Sequence, residues 1–167
     1  KRRRVQGSSV RMRLCATARK STFRDRRRPR HAQPRGTATD GARVRAKRLA
    51  QAEFLARLVQ ENQTATPTGN LVLIGDFNAF PFNDGYVDVM GTIKGTPAPS
   101  SEVTLPSADL VDPDLENLTD ALPPSDRYSF SFDGNAQAID HILVNAPMRT
   151  RLVRYVYARN GVNYPES

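Results

Sequence analysis

Apolar residues at helical spacing predict an amphipathic helix over residues 40–61. Asp40 precedes them and suits the N-cap position, where its carboxylate can accept from a free backbone N–H. The apolar positions recur at steps of three to five and share one face: Val44, Leu49, Ala52, Leu55, Ala56 and Val59. The helix therefore has one face to bury.

A continuous apolar run predicts a strand over residues 70–75. The run is Leu-Val-Leu-Ile at residues 71–74, and the absence of polar alternation indicates a strand covered on both faces. The strand ends in Gly-Asp-Phe-Asn at residues 75–78. A short helix is predicted over residues 84–91. Residues 92–126 are rich in Pro, Ser, Thr and Asp and are predicted to be mostly loop.

Period-two alternation predicts a hairpin over residues 127–144. Tyr and Phe alternate with Ser and Asp at residues 128–133, and Asp-Gly-Asn at residues 133–135 has turn chemistry. The return strand is predicted over residues 138–144, and a weaker strand over residues 150–157.

The charge is divided unevenly along the chain. Residues 1–35 contain 14 Lys and Arg residues and one acidic residue. Residues 36–167 contain 11 Lys and Arg residues and 16 Asp and Glu residues. This split predicts a basic arm, residues 1–38, before a body, residues 39–167. The arm has three interpretations: a nucleic-acid-binding arm, a disordered tail, or sequence displaced by a frameshift. We expect it to lack stable secondary structure.

Composition excludes several classes of protein. The single cysteine, Cys15, cannot form an internal disulfide, and zinc-site spacings are absent. The longest apolar runs are four residues, far below the about 20 that a transmembrane helix needs. No basic-then-apolar signal peptide opens the chain, so we expect any secretion signal to lie outside it.

Asp76 and Asn78 are the first candidate site residues. They lie two residues apart at a strand end, and side chains at that spacing project from the same face. A carboxylate can orient a water or bind a divalent cation, and an amide can hold a phosphate oxygen. The same residues also have ordinary turn propensity, so a turn is the alternative interpretation.

Asp140 is the third candidate, because a carboxylate within a strand is costly unless it has a partner. The partner would be a metal, a cation or a protonated histidine, and the alternative is an edge position facing water. His141 should point to the opposite face, where a hydrogen-bonded core histidine fits better than a general base. His31 has no strand or turn around it, and no catalytic role is expected.

Three blocks carry a family resemblance. They are NLVLIGDFNAFPFNDG (residues 70–85), RYSFSFDGNAQAIDHILVN (residues 127–145), and the helix DGARVRAKRLAQAEFLARLV (residues 40–59), with Arg48 and Gln51 at the family's positions. In order and spacing they resemble the endonuclease/exonuclease/phosphatase superfamily. The second block is similar to bacterial extracellular nucleases in particular.

The resemblance implies a fold and a chemistry. The fold is an α/β (α+β) chain forming part of a four-layer α/β/β/α sandwich with two mixed sheets. The chemistry is hydrolysis of a phosphodiester, with DNA or RNA as the partner, aided by Mg²⁺ or by Mn²⁺ or Ca²⁺. Asp76 would position or activate the attacking water, Asn78 would hold the phosphate or that water, and Asp140 would orient a catalytic histidine. The resemblance to bacterial extracellular nucleases also implies a secreted, extracellular protein.

Three elements of the family pattern have no counterpart in the sequence. They are the N-terminal Asn and Glu pair that binds metal, the histidine before the helix, and the C-terminal Ser-Asp-His block. We therefore expect an incomplete domain with little activity of its own, whose candidates Asp76, Asn78 and Asp140 converge at one sheet end. The alternatives are a phosphatase or lipid phosphodiesterase of the same fold, or a non-catalytic nucleic-acid-binding protein that uses the arm.

Overall fold

The computed structural model describes residues 38–132 and 134–159. The predictions for the basic arm up to residue 37, with Cys15 and His31, lie outside the described residues. The helices are α1 (Ala38–Ala65), α2 (Val89–Lys94) and α3 (Ala146–Arg149). The strands are β1 (Val72–Asp76), β2 (Glu116–Asn117), β3 (Phe130–Phe132), β4 (Asn135–Gln137) and β5 (Asp140–Val144), with short 3-10 turns at Leu118–Ala121 and Pro124–Asp126.

Helix α1 is present and longer than predicted, beginning before Asp40 and ending at Ala65. Ala52, Ala56 and Val59 are buried, at the three-to-four-residue spacing of one helix face. Val44, predicted on that face, is 50% exposed. The reason is that the core residues of α1 all come from later turns, so the first turns extend past the packed layer.

Strand β5 is the centre of a three-stranded antiparallel sheet with the order β1-β5-β2. The predicted hairpin is therefore only partly right. Its turn is formed by β3 and β4, and the strand predicted over residues 138–144 instead pairs with β1. This pairing buries Leu143 against Leu73, which an isolated hairpin could not do.

One face of this sheet is covered by α1 and α2. Leu73 and Leu143 are buried in one core with Ala56, Met90 and Ile93. On the other face Val72 is 36% exposed and Ile74 is 51% exposed. Coverage of β1 on both faces is therefore wrong for the residues that the structure describes.

Two further predictions need correction. Helix α2 begins at Val89 rather than near residue 84, because Asp88 and not Asp84 caps it. The strand predicted over residues 150–157 is absent, and this segment is irregular.

The mixed α/β class is confirmed, with helices and antiparallel sheets. The four-layer arrangement remains a prediction. Within the described ranges, no helix combines the length and apolar character needed to cross a membrane.

Candidate functional site

Asp76 and Asp140 lie directly opposite each other across the β1–β5 pair. The ladder continues one step further, where the N–H of Phe77 donates to the carbonyl of Ile139 (2.9 Å). Because hydrogen-bonded and non-hydrogen-bonded pairs alternate, Asp76 and Asp140 form a non-hydrogen-bonded pair, the type with the closer side chains. Both therefore project from the open face of the sheet, at the end where β1 stops.

Asn78 directly follows this strand end and turns the chain sharply. Its φ of 48° lies in the left-handed region, which Asn adopts more readily than most residues. Its backbone N–H donates to Asp76 Oδ1 (2.9 Å), and Arg48 Nη2 donates to its carbonyl (3.2 Å). The turn and the candidate site are thus the same structure, and the turn fixes the Asp76 carboxylate.

The backbone of Asp140 is held from both sides by residues that the sequence did not single out. Ser129 Oγ accepts from the N–H groups of Ile139 and Asp140 (3.2 Å each). The Tyr157 hydroxyl donates to the Asp140 carbonyl (2.7 Å) and bonds Thr119 Oγ1 (2.6 Å). The Tyr/Phe–Ser alternation is a signal that could have identified Ser129, whereas Tyr157 lies in irregular chain with no such pattern.

His141 is a core histidine, as its neighbour's orientation predicts. It is 1% exposed, on the helix-covered face opposite to Asp140. Its Nε2 lies 2.8 Å from the Ala79 carbonyl, which can only accept, so Nε2 carries the proton and Nδ1 accepts from Asn117 Nδ2 (3.1 Å). Burial lowers the pKa of His141 because it disfavours the charged ring. His141 therefore does not serve the Asp76–Asp140 site.

Facing carboxylates are the feature of this site that suits a cation. Like charges directly opposite each other destabilise a strand pair, so a cation beside Asp76 and Asp140 would offset their repulsion. Mg²⁺ is often held by one or two carboxylates together with waters and substrate phosphates. The described residues contain no group of three His, Cys, Asp or Glu that could hold a metal by themselves. The two carboxylates thus fit part of a metal site.

A small cavity of about 60 Å³ lies beside this strand end, between α1 and the loop that follows Asn78. Its lining combines one cation, Arg48, and one carboxylate, Asp84, with Asn78 and with aromatic and apolar side chains, including Phe80 and Phe82. The cavity therefore joins the turn at Asn78 to an aromatic loop, and neither Asp76 nor Asp140 lines it.

No curated protein and no solved structure matches the chain. The model of the Endonuclease/Exonuclease/phosphatase family matches residues 11–161. The match includes all three blocks identified in the sequence and begins before residue 39, where the body was predicted to start; that boundary remains a prediction. Because the match spans most of the sequence, this chain belongs to the Endonuclease/Exonuclease/phosphatase family.

Proposed function

We propose that this chain derives from a metal-dependent nuclease, a phosphodiester hydrolase that acts on DNA or RNA. Its family comprises metal-dependent phosphodiesterases, nucleases and phosphatases. The observation that carries the proposal is the pairing of Asp76 with Asp140 at the strand end where Asn78 turns the chain. The similarity of residues 127–145 to bacterial extracellular nucleases supports a nucleic acid as the substrate.

The proposed roles follow from this geometry. The attacking water forms a bond to phosphorus and loses a proton to a base, while the bond to the leaving oxygen breaks and that oxygen takes up a proton to leave as a hydroxyl. Asp76, fixed by the Asn78 N–H, positions or activates the water. Asn78 contributes a donor for the phosphate or the water. Asp140, with its backbone held by Ser129 and Tyr157, would orient a catalytic histidine.

A divalent cation, Mg²⁺ or alternatively Mn²⁺ or Ca²⁺, would be held near Asp76 and Asp140 and would neutralise charge on the phosphate when bound. Family members typically depend on such an ion. The carboxylates of this chain supply its binding charge, and the turn at Asn78 keeps one of them in place.

Low activity is expected of this chain because the residues that the structure describes supply no histidine for Asp140 to orient. The sequence contains two histidines, and His141 is bonded at both ring nitrogens on the other face of the sheet. His31 is the other and lies outside the described residues. Removing members of a cooperating catalytic set commonly costs several orders of magnitude in rate.

We therefore test the function by adding the absent group. The full chain is incubated with supercoiled plasmid and Mg²⁺ or Mn²⁺, with and without imidazole, and nicking is quantified. We expect weak nicking that imidazole increases at least about tenfold, since general acid–base catalysis contributes about 10²–10⁴-fold when well positioned. Chelation should abolish nicking, and Asp76→Ala and Asp140→Ala should each remove the increase that imidazole causes.

Exposed Asp109→Ala is the matched control and should leave the rate unchanged. Nicking that survives both chelation and Asp76→Ala would contradict the proposal. So would a metal-dependent nicking rate in the parent chain that is no higher than that of the Asp76→Ala variant. A parallel assay with p-nitrophenyl phosphate tests the phosphatase alternative. Faster hydrolysis of that monoester than of bis(p-nitrophenyl) phosphate would replace the nuclease assignment with a phosphatase.

A further inference from the structure

The loop that follows Asn78 displays aromatic rings on the protein surface. Phe82 is 65% exposed and Tyr86 is 50% exposed, although both are large side chains that folding usually buries. Phe80 stacks beneath Phe82, with ring centroids 5.2 Å apart and planes 9° from parallel. The Arg45 guanidinium lies 4.6 Å from the centre of the Tyr86 ring. We call Phe80, Phe82, Tyr86 and Arg45 the aromatic platform.

Hydrogen bonds inside the loop hold the platform in shape. Asp84 Oδ1 accepts from the N–H groups of Tyr86 and Val87 (2.9 and 2.8 Å), and Val87 is buried. The Tyr86 carbonyl accepts from the N–H of Leu105 (2.9 Å). The Tyr86 ring is therefore exposed on a fixed backbone, so little conformational entropy would be lost when a ligand stacks on it.

The platform adjoins the candidate site and carries cations. Phe82 lines the same cavity as Arg48 and Asn78, so the platform begins where the Asp76 turn ends. That cavity, about 60 Å³, is too small for a nucleobase, which would have to lie against the outer face of a ring. Arg45 lies over the Tyr86 ring and Arg48 donates to the Asn78 carbonyl, so two guanidinium groups lie near the platform. One carboxylate, Asp84, also lines the cavity, and its Oδ1 accepts from two backbone N–H groups.

Flat exposed rings beside guanidinium groups match one class of phosphodiester. Unpaired bases stack on aromatic side chains while Arg contacts the backbone phosphates. A duplex keeps its bases stacked on one another, and a lipid phosphodiester has no flat ring to offer. The ligand chemistry is therefore that of a single strand.

We propose that Phe82 and Tyr86 are stacking positions for unpaired bases of single-stranded nucleic acid, with Arg45, which lies over the Tyr86 ring, as a cation for a backbone phosphate. This rests on the proposed function for the neighbouring site and names its substrate class. Binding is measured without metal, so it is separate from hydrolysis.

The absence of tryptophan from the sequence allows a local test. Phe82→Trp keeps a flat ring at the platform and adds the chain's one tryptophan, which is excited at wavelengths that the five tyrosines do not absorb. The control, Phe54→Trp, places it at a 69% exposed position of α1. The full chain is titrated in chelator with oligothymidine. We expect at least about twofold quenching in Phe82→Trp and little in Phe54→Trp, because only a base in contact with the indole quenches it.

An oligomer of the same length without bases separates stacking from phosphate attraction, including attraction to the basic arm. It should leave Phe82→Trp unquenched. Equal quenching of the two reporters, quenching by the abasic oligomer, or none in Phe82→Trp would overturn the proposal.

Affinity supplies a second measurement. Phe82→Ala and Tyr86→Ala should each weaken oligothymidine binding by roughly five- to 150-fold at fixed salt, the range for one stacked base. Tyr86→Phe keeps the ring and should retain the affinity of the parent chain, and so should Phe54→Ala. The arm is common to all variants and cancels in the comparison. Unchanged affinity in both alanine variants would overturn the stacking proposal even where Asp76-dependent nicking is found, whereas specific quenching without such nicking would contradict the nuclease function alone.

Discussion

At the scale of single residues, the hydrogen-bond partners of His141 fix its protonation state and its role. The ring donates from Nε2 to the Ala79 carbonyl and accepts at Nδ1 from Asn117, and the acceptance at Nδ1 requires the neutral form. Phe77 packs near it, with ring centroids 5.9 Å apart. Its role is therefore to join β5 to the loop after β1, beneath the Asp76–Asp140 pair.

The lowered pKa of His141 predicts a pH dependence of stability. Below the usual histidine value of about 6.5 the unfolded chain binds a proton that the folded chain does not, so the stabilisation is complete above that pH and decreases as the pH falls. At pH 7.5, His141→Gln should lower the free energy of unfolding by about 1–3 kcal/mol, because buried bonds are lost. The difference from the parent chain should shrink toward pH 5.

Urea denaturation at several pH values measures both effects. His31 is present in the parent chain and the variant, so its titration cancels. A stability difference that is the same at pH 7.5 and pH 5 would contradict the assignment of a neutral buried ring.

At the scale of elements, Asp88 decides where α2 begins. Its Oδ1 accepts from the N–H of Gly91 (2.8 Å), and its Oδ2 accepts from the N–H of Ala98 (2.9 Å). One carboxylate thus caps the helix and ties its start to the chain beyond its end. Gly91 fits closely under this carboxylate, since a Cβ there would clash with Asp88.

Removing this cap should destabilise the protein measurably. We expect Asp88→Ala to cost about 2–3 kcal/mol, because it removes an N-cap and leaves the Ala98 N–H without its acceptor. Asp88→Asn should cost less, since its single carbonyl oxygen can still cap Gly91. Glu61→Ala, at an exposed position of α1, is the control and should change stability by less than about 0.5 kcal/mol. Equal midpoints for Asp88→Ala and Glu61→Ala in urea would refute this.

At the scale of the whole molecule, the sheet is covered by helices on one side in the part of the chain that the structure describes. Leu73 is 6% exposed and its neighbour Ile74 is 51% exposed, although both are large apolar residues of β1. The open side also carries Asp76 and Asp140, so the candidate site and the uncovered apolar surface share one face. Side chains on the two faces of β1 should therefore contribute unequally to the free energy of unfolding.

Alanine substitution on the two faces tests this inequality. Leu73→Ala should lower the free energy of unfolding by about 2–5 kcal/mol, the range for a buried leucine. Ile74→Ala should cost under about 1 kcal/mol, because its side chain already contacts solvent. Equal, large losses would show instead that Ile74 is covered in the full chain.

The elements that the sequence predicted well are those whose signals are local. The helical spacing of Ala52, Ala56 and Val59, the apolar run of β1, and the turn residues around Gly134 each act over a few neighbouring positions. The separation of Asp140 from His141 onto opposite faces also follows from strand alternation alone. The amino-acid sequence therefore sufficed to nominate Asp76, Asn78 and Asp140 as candidate residues, and their roles remain predictions.

Tertiary packing decided the rest. The sequence assigned residues 138–144 to a local hairpin, but these residues bury more apolar surface by pairing with the distant β1, and that choice sets Asp140 opposite Asp76. It likewise could not show that Ile74 stays exposed while Leu73 is buried, or that Tyr86 lies under Arg45. Such pairings join residues far apart in the chain, and their free energy depends on which surfaces meet, which no local pattern records.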